Sequence, residues 1–182
     1  MDTTRFYSQL FAPLEQLLGA RDRDTLAAII GFDGGGPLSF CTFGRGPPAS
    51  FPTYVSCELA MRLDQHPASF GRYELLVTCD DEAWVRSVVS EIGEMSLELS
   101  FDDGHTLDIG PRVERGAVLQ AVLFEKVCET EIDAERIGIL RVIGITRAEL
   151  ALARSEGTAA LVERLELAGV YPNTTARRAS VA

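Results

Sequence analysis

Two hydrophobic periods alternate along this chain, and each change of period marks a predicted element boundary. Phe6, Leu10, Leu14, Leu17 and Leu18 recur near helical spacing within residues 4–18, and Gly19 stands where a C-terminal cap would. Pro13 removes one backbone donor from that helix and predicts a kink or a split. A second short helix is predicted through TLAAII (25–30), capped by Asp22 or Asp24, with the loop GFDGGGP (31–37) after it. The period then shortens. LSFCTF (38–43), TYVSCELAM (53–61) and RYELLVTC (72–79) read as strands, separated by the proline-containing loops GRGPPASFP (44–52) and RLDQHPASFG (62–71).

Helical spacing returns after Asp80 or Asp81, where Trp84, Val85, Val88, Val89 and Ile92 supply an apolar stripe that ends near Gly93. Asp81 and Glu82 fall in its first turn, where the helix dipole favours negative charge. MSLELSF (95–101) alternates as a strand, and Asp103-Gly104 is a hairpin-turn signal. AVLQAVLFEKV (117–127) and IGILRVIGI (137–145) are apolar almost throughout and read as central strands, with CETEIDAER (128–136) as an acidic, exposed loop between them. Thr146 and Glu149 have capping-box spacing at the start of a helix over 147–156. Gly157 ends that helix, Thr158 opens another running to 168, and Gly169 is its stop signal; NTTARRASVA (173–182) reads as a frayed tail. No repeat or linker divides the chain, so one domain over residues 1–182 is expected, with an N-terminal helical segment at 4–30. The predicted fold class is α+β: a mixed, mostly antiparallel sheet with helices packed mainly on one side.

Composition narrows the function classes. With 182 residues, 46% of them apolar and 24% charged, the chain can bury a substantial core. No run approaches the ~20 apolar residues that span a bilayer, and the N-terminus lacks the basic segment of a secretory signal. Cytoplasmic residence and no membrane partner are therefore expected. Cys41, Cys57, Cys79 and Cys128 lie far apart in strand-like contexts and read as small buried hydrophobes. Neither they nor His66 and His105 have metal-ligand spacing.

The net charge of −10 is unevenly placed: residues 80–110 hold nine acids against Arg86 alone, and the rest of the chain carries only −2. Such a zone repels phosphates, which argues against nucleic acid, and it favours a basic partner. A solvated surface that keeps the protein soluble explains the same charges.

Catalytic patterns are sparse. The glycine-rich stretches precede a strand or prolines rather than a helix, so neither aims a helix N-terminus at a phosphate. No G-x-S-x-G elbow is present, and a pairing of Cys57 or Cys79 with His66 or His105 would place the thiol inside a strand. The acids at 80–82 and 102–103 lack calcium-loop spacing and suit caps and turns. No cofactor is expected.

Over roughly residues 38–172 the chain resembles the suppressor of fused (SUFU) domain family. The resemblance lies in Tyr73, Glu74 and Leu75 leading into the helix that contains Trp84, in the strand 117–124, and in Thr146, Glu149, Leu150, Ala153 and Gly157. Animal members of that family bind a zinc-finger transcription factor and carry an added C-terminal region; some bacterial single-domain members are assigned as immunity proteins that neutralise toxins. The resemblance implies a bacterial-type, non-enzymatic protein-binding module, an immunity or regulatory protein, whose partner is a protein and not nucleic acid. A basic, toxin-like partner would meet the acidic zone, with Asp80, Asp81, Glu82, Asp102, Asp103 and His105 as candidate contacts. An extended peptide joining a sheet edge is another mode of capture. The competing class is a small hydrolase or ligand-binding enzyme with its site in the 45–70 loops, where Arg45, Arg72 and His66 would hold an anion. A deep pocket joining those residues to a strongly shifted ionisable group would distinguish it.

Overall fold

The computed structural model describes residues 3–29, 38–44, 51–113 and 117–182. The N-terminal helix, α1 (Thr3–Leu18), runs through Pro13 and ends at Gly19, whose φ of +84° suits a residue without Cβ. The predicted second helix is instead a strand, β1 (Arg21–Ile29), paired antiparallel with β2 (Leu38–Phe43) from Arg21↔Phe43 to Ile29↔Leu38. A helix of six residues cannot repay its own nucleation, whereas a neighbouring strand offers a ready ladder. The glycine-rich loop at 31–37 lies outside the described residues.

The apolar run at 53–61 divides. β3 (Thr53–Ser56) stops early, and Leu59–Met61 forms a single 3-10 turn. The cause is the Glu74 carboxylate on β4 (Arg72–Thr78), which accepts the Leu59 and Ala60 amides at 3.2 and 2.9 Å and turns the chain. α2 (Glu82–Met95) follows, capped by Asp81, whose Oδ1 accepts the Trp84 amide at 3.1 Å. The strand predicted at 95–101 does not form. Leu97 donates to the Glu94 carbonyl and Leu99 to that of Met95, so the chain leaves α2 in tight turns instead.

Gly104, at φ +73°, makes the predicted turn and leads into β5 (Thr106–Asp108). β6 (Leu119–Ile132) and β7 (Glu135–Thr146) consume nearly all of the predicted loop at 128–136. Only Asp133 and Ala134 connect them, both at positive φ, as a two-residue primed hairpin turn requires. α3 (Arg147–Glu156) opens with the predicted capping box, and α4 (Thr158–Leu167) begins at Thr158 directly after Gly157, as the spacing predicts.

Among the described residues seven strands form one sheet in the order β1-β2-β3-β4-β7-β6-β5, antiparallel except for the parallel pair β4–β7. Strand alternation decides which helix each residue meets. Leu75, Val77, Val122, Phe124, Leu140 and Val142 face α2. The opposite face carries α1 over Val55, Leu76, Ile137 and Ile139, and α3 with α4 over Ala121, Leu123, Ile143 and Ile145. Three of the four α-helices among the described residues thus share one side.

The tail is not frayed. The last registered pair of the parallel ladder is Leu76↔Arg141, and beyond it Thr174 bridges to Cys79. The Thr174 amide donates to the Thr78 carbonyl at 2.7 Å, its carbonyl accepts the Asp80 amide, and its hydroxyl accepts the Gly144 amide at 3.0 Å. One tail residue therefore supplies partners to both parallel strands. Hydrophobic periodicity cannot register this segment, because what holds it is polar. Gly144 makes the close approach possible: a Cβ there would lie 2.6 Å from Leu119 Cδ1, 2.8 Å from Thr174 Cγ2 and 2.9 Å from Trp84 Cη2. Gly144→Ala is accordingly expected to destabilise the fold by ~1–3 kcal/mol through overpacking. Urea unfolding checks this, and an unchanged midpoint would show that the three side chains yield without cost.

Candidate functional site

The five acids and the histidine singled out from sequence fall into two groups at opposite ends of α2. At its N-terminal end, Asp81 caps the helix and Glu82 pairs with Arg86 one turn on, at 2.6 Å. Asp80 Oδ1 accepts the Ala176 amide at 2.9 Å and so ties the tail to β4. At the other end, Asp102 accepts the Ser69 amide and hydroxyl at 2.8 and 3.0 Å, and its own amide donates to His105 Nδ1 at 3.2 Å. Asp103 Oδ1 accepts the Lys126 amide at 2.8 Å. Burial pushes the Asp102 carboxyl up, but the Ser69 amide and hydroxyl and the Asp103 amide together outweigh it and hold the group below its ordinary range. The 14 residues of α2 span about 21 Å at 1.5 Å per residue, so the two groups cannot form one small site. Along the helix between and beyond them, Glu94 and Glu98 are exposed and Glu91 pairs with Arg112.

A cleft of about 550 Å³ opens beside the first group. Trp84, Val113, Val118 and Leu119 supply apolar walls, Asp81 and Arg177 supply opposite charges, and Ala176 of the tail forms part of the rim. The indole nitrogen of Trp84 is buried without an acceptor.

Two buried carboxylates were not among the candidates. Glu149 and Arg178 form an ion pair with both oxygens engaged, at 2.5 and 2.7 Å, and Glu149 also accepts the Thr146 and Val181 amides. Burial pushes the Glu149 carboxyl up, but Arg178 and these amides outweigh it and hold the group below its ordinary value. The capping-box spacing located Glu149; nothing in the sequence pointed it at an arginine 29 positions on. Glu74 has neutral donors only: the Ser56 hydroxyl at 2.5 Å and the two amides of the 3-10 turn. Burial dominates there and pushes its carboxyl up to about 7.

The residues proposed for an anion site do not converge. Arg72 pairs with Glu135 and donates to the Arg62 carbonyl, while His66 is exposed and tied by its amide to Ser96. Arg45 lies outside the described residues. A depression of about 470 Å³ adjoins Gln65, Arg72 and Glu135 without including His66. Glu74, the strongly shifted carboxyl, is fully buried and lines none of the clefts described here. Cys79 is pushed up to about 12, chiefly by burial, which keeps it a thiol rather than a nucleophilic thiolate. Among the described residues no group of three or more His, Cys, Asp or Glu side chains is placed to hold a metal, and no helix is long and apolar enough to cross a membrane.

Comparison with known families decides what this arrangement belongs to. The Suppressor of fused protein (SUFU) family matches residues 36–179. The chain belongs to the SUFU family. No curated protein matches it. Among solved structures, Drosophila Suppressor of Fused is similar at a TM-score of 0.70 and 13% identity, over 97% of this chain and 51% of that one. A chain of the Sufu–Fu complex gives 0.64 at 14% identity, over 94% of this chain and 88% of that one. A SUFU homolog from Neisseria gonorrhoeae FA 1090 gives 0.61 at 17%, over 98% of both chains. This chain therefore spans about half of the Drosophila protein and nearly all of the neisserial one.

Glu74 gives this SUFU fold a signed pH dependence. Its carboxyl rises from 4.5 to about 7 on folding, so its contribution to stability is complete below 4.5 and is lost as pH rises to about 7. Replacement by glutamine removes that loss. The stability of Glu74→Gln relative to the parent is therefore expected to increase between pH 4.5 and about 8. Urea unfolding at both ends of the window measures it; a pH-independent difference would mean that Glu74 does not titrate there.

Proposed function

We propose that this chain is a non-enzymatic protein-binding module, of an immunity or regulatory kind, that captures a basic partner through the acidic side formed by α2 and its two ends. The observation that carries this reading is how the acids are held. Asp80, Asp81, Asp102 and Asp103 each accept at least one backbone amide, which fixes the carboxylates in place without neutralising them. Glu82 and Glu91 are offset by Arg86 and Arg112, while Glu94 on the same helix and Glu98 in the turn just past its end add exposed charge. A fixed field of one sign steers a cationic surface to its place and costs little reorganisation when the complex forms. Family membership supports binding as the activity, as does the likeness to a chain of the Sufu–Fu complex.

The acids that cap and staple must be neutralised without losing their acceptors. The combined variant Asp80→Asn, Asp81→Asn, Glu82→Gln, Asp102→Asn and Asp103→Asn keeps an oxygen at each position. It is expected to retain the native circular dichroism spectrum but to lose most capture of the basic partner from host extract. Parent complexes should release that partner between about 0.05 and about 0.5 M salt, where the Debye length falls several-fold. Identification of the released protein by mass spectrometry, followed by titration against both chains, reads the effect; equal affinity would overturn the acidic surface as the contact.

A further inference from the structure

The tail makes the contacts of a bound peptide. Thr174 inserts where β4 and β7 part, with its backbone on Thr78 and Asp80 and its hydroxyl on Gly144. Ala176 donates to Asp80, and Arg178 reaches both the Gly144 carbonyl and the two oxygens of Glu149. Val181 closes the run with an amide on Glu149. Almost every one of these contacts goes to main chain or to an acid. The apolar share is small: Val181 is only partly buried, and Ala176 and Ala179 present single methyl groups.

The fit is also incomplete. Asn173 Oδ1, Arg178 Nε and Trp84 Nε1 are buried without partners, and the cleft of about 550 Å³ lies alongside Ala176, unfilled by its methyl. Glu149, at 0% exposure, would be left as a buried unpaired carboxylate if Arg178 withdrew, so whatever replaces the tail must bring a cation.

We infer that the slot between β4 and β7 is a peptide-binding site, filled here in cis by residues 173–182, whose ligand in trans is an extended basic segment of a partner protein. That segment carries a hydroxyl residue at the Thr174 position, an apolar residue larger than alanine two positions on, and an arginine two beyond that. The inference rests on the protein-binding reading above and names a second surface for it, contiguous with Asp80 and Asp81. The tail then acts as an internal competitor, and the fraction of chains with an open slot sets the apparent affinity.

The test uses the full chain and a fluorescent peptide with the sequence of residues 171–182, read by anisotropy. Arg178→Ala in the chain weakens the internal competitor, and binding of the peptide should tighten by about tenfold or more relative to the parent chain. Ala176→Leu in the peptide should tighten it further, and Arg178→Ala in the peptide should abolish it. Binding that ignores the peptide arginine, or no gain in the variant chain, would overturn the slot. Should that variant fail to fold, hydrogen exchange on the parent chain decides: the amides of Asp80, Gly144, Thr174, Ala176 and Val181 should exchange together and ahead of the β6–β7 ladder. Exchange only with global unfolding would overturn the proposal. Loss of peptide binding with salt-released capture intact removes the slot alone, whereas failure of both removes the protein-binding reading.

Discussion

The parallel pairing of β4 with β7 is the constraint on which the rest of the structure depends. It welds two antiparallel blocks, β1-β2-β3-β4 and β7-β6-β5, into one sheet. Parallel neighbours point the same way, so the C-terminal ends of both strands emerge at one edge. α2 starts there from Asp81 and α3 starts there from Thr146, which brings two helix N-termini and their orphan amides together. Acids are favoured at such ends. Asp80, Asp81 and Glu149 are the local answer, and the tail returns to the same edge to meet them. Crevices at the C-terminal ends of parallel strands are common ligand positions for the same geometric reason.

Glu74 and Glu149 show how surroundings decide the behaviour of a buried carboxylate. Each is fully buried and each accepts backbone amides. Glu149 adds a guanidinium and stays ionised more readily than in water; Glu74 adds a serine hydroxyl, with Glu58 nearby, and burial prevails. One is a charge held in reserve by its partner. The other, its carboxyl raised to about 7, is a peg that shapes the 3-10 turn. Neither state could be assigned from residue type.

Much of the fold was legible because it is written in apolar spacing. The stripe from Trp84 to Ile92, the runs around Val122 and Ile143, and the Thr146–Glu149 box all matched the elements they predicted. Expectations failed where local pattern and tertiary partner disagreed. TLAAII is helical by propensity but lies beside β2, and MSLELSF alternates but follows a helix whose last carbonyls claim its amides. The acidic stretch 128–136 looked like a loop because its charges are exposed, yet exposure on one strand face is compatible with a ladder. The site was half legible. Caps and turns located Asp81, Asp103 and Glu149, whereas the role of Arg178 depends on a pairing 29 residues away that no local pattern encodes.

The β6–β7 hairpin also bears on the order in which the chain assembles. Its strands are adjacent in sequence and joined by a two-residue turn, so it closes with little loss of chain entropy. The parallel pair joins Arg72 to Ile137, 65 positions apart, and carries a much larger loop-closure cost. An intermediate with the hairpin formed and the pair still open would display β4 and β7 with unsatisfied edges. Such edges invite pairing between molecules. Glu149 makes that edge hard to copy: an incoming strand must bring a cation for the buried carboxylate that Arg178 pairs with here. The same feature that admits one particular segment therefore guards a slow-forming edge against aggregation.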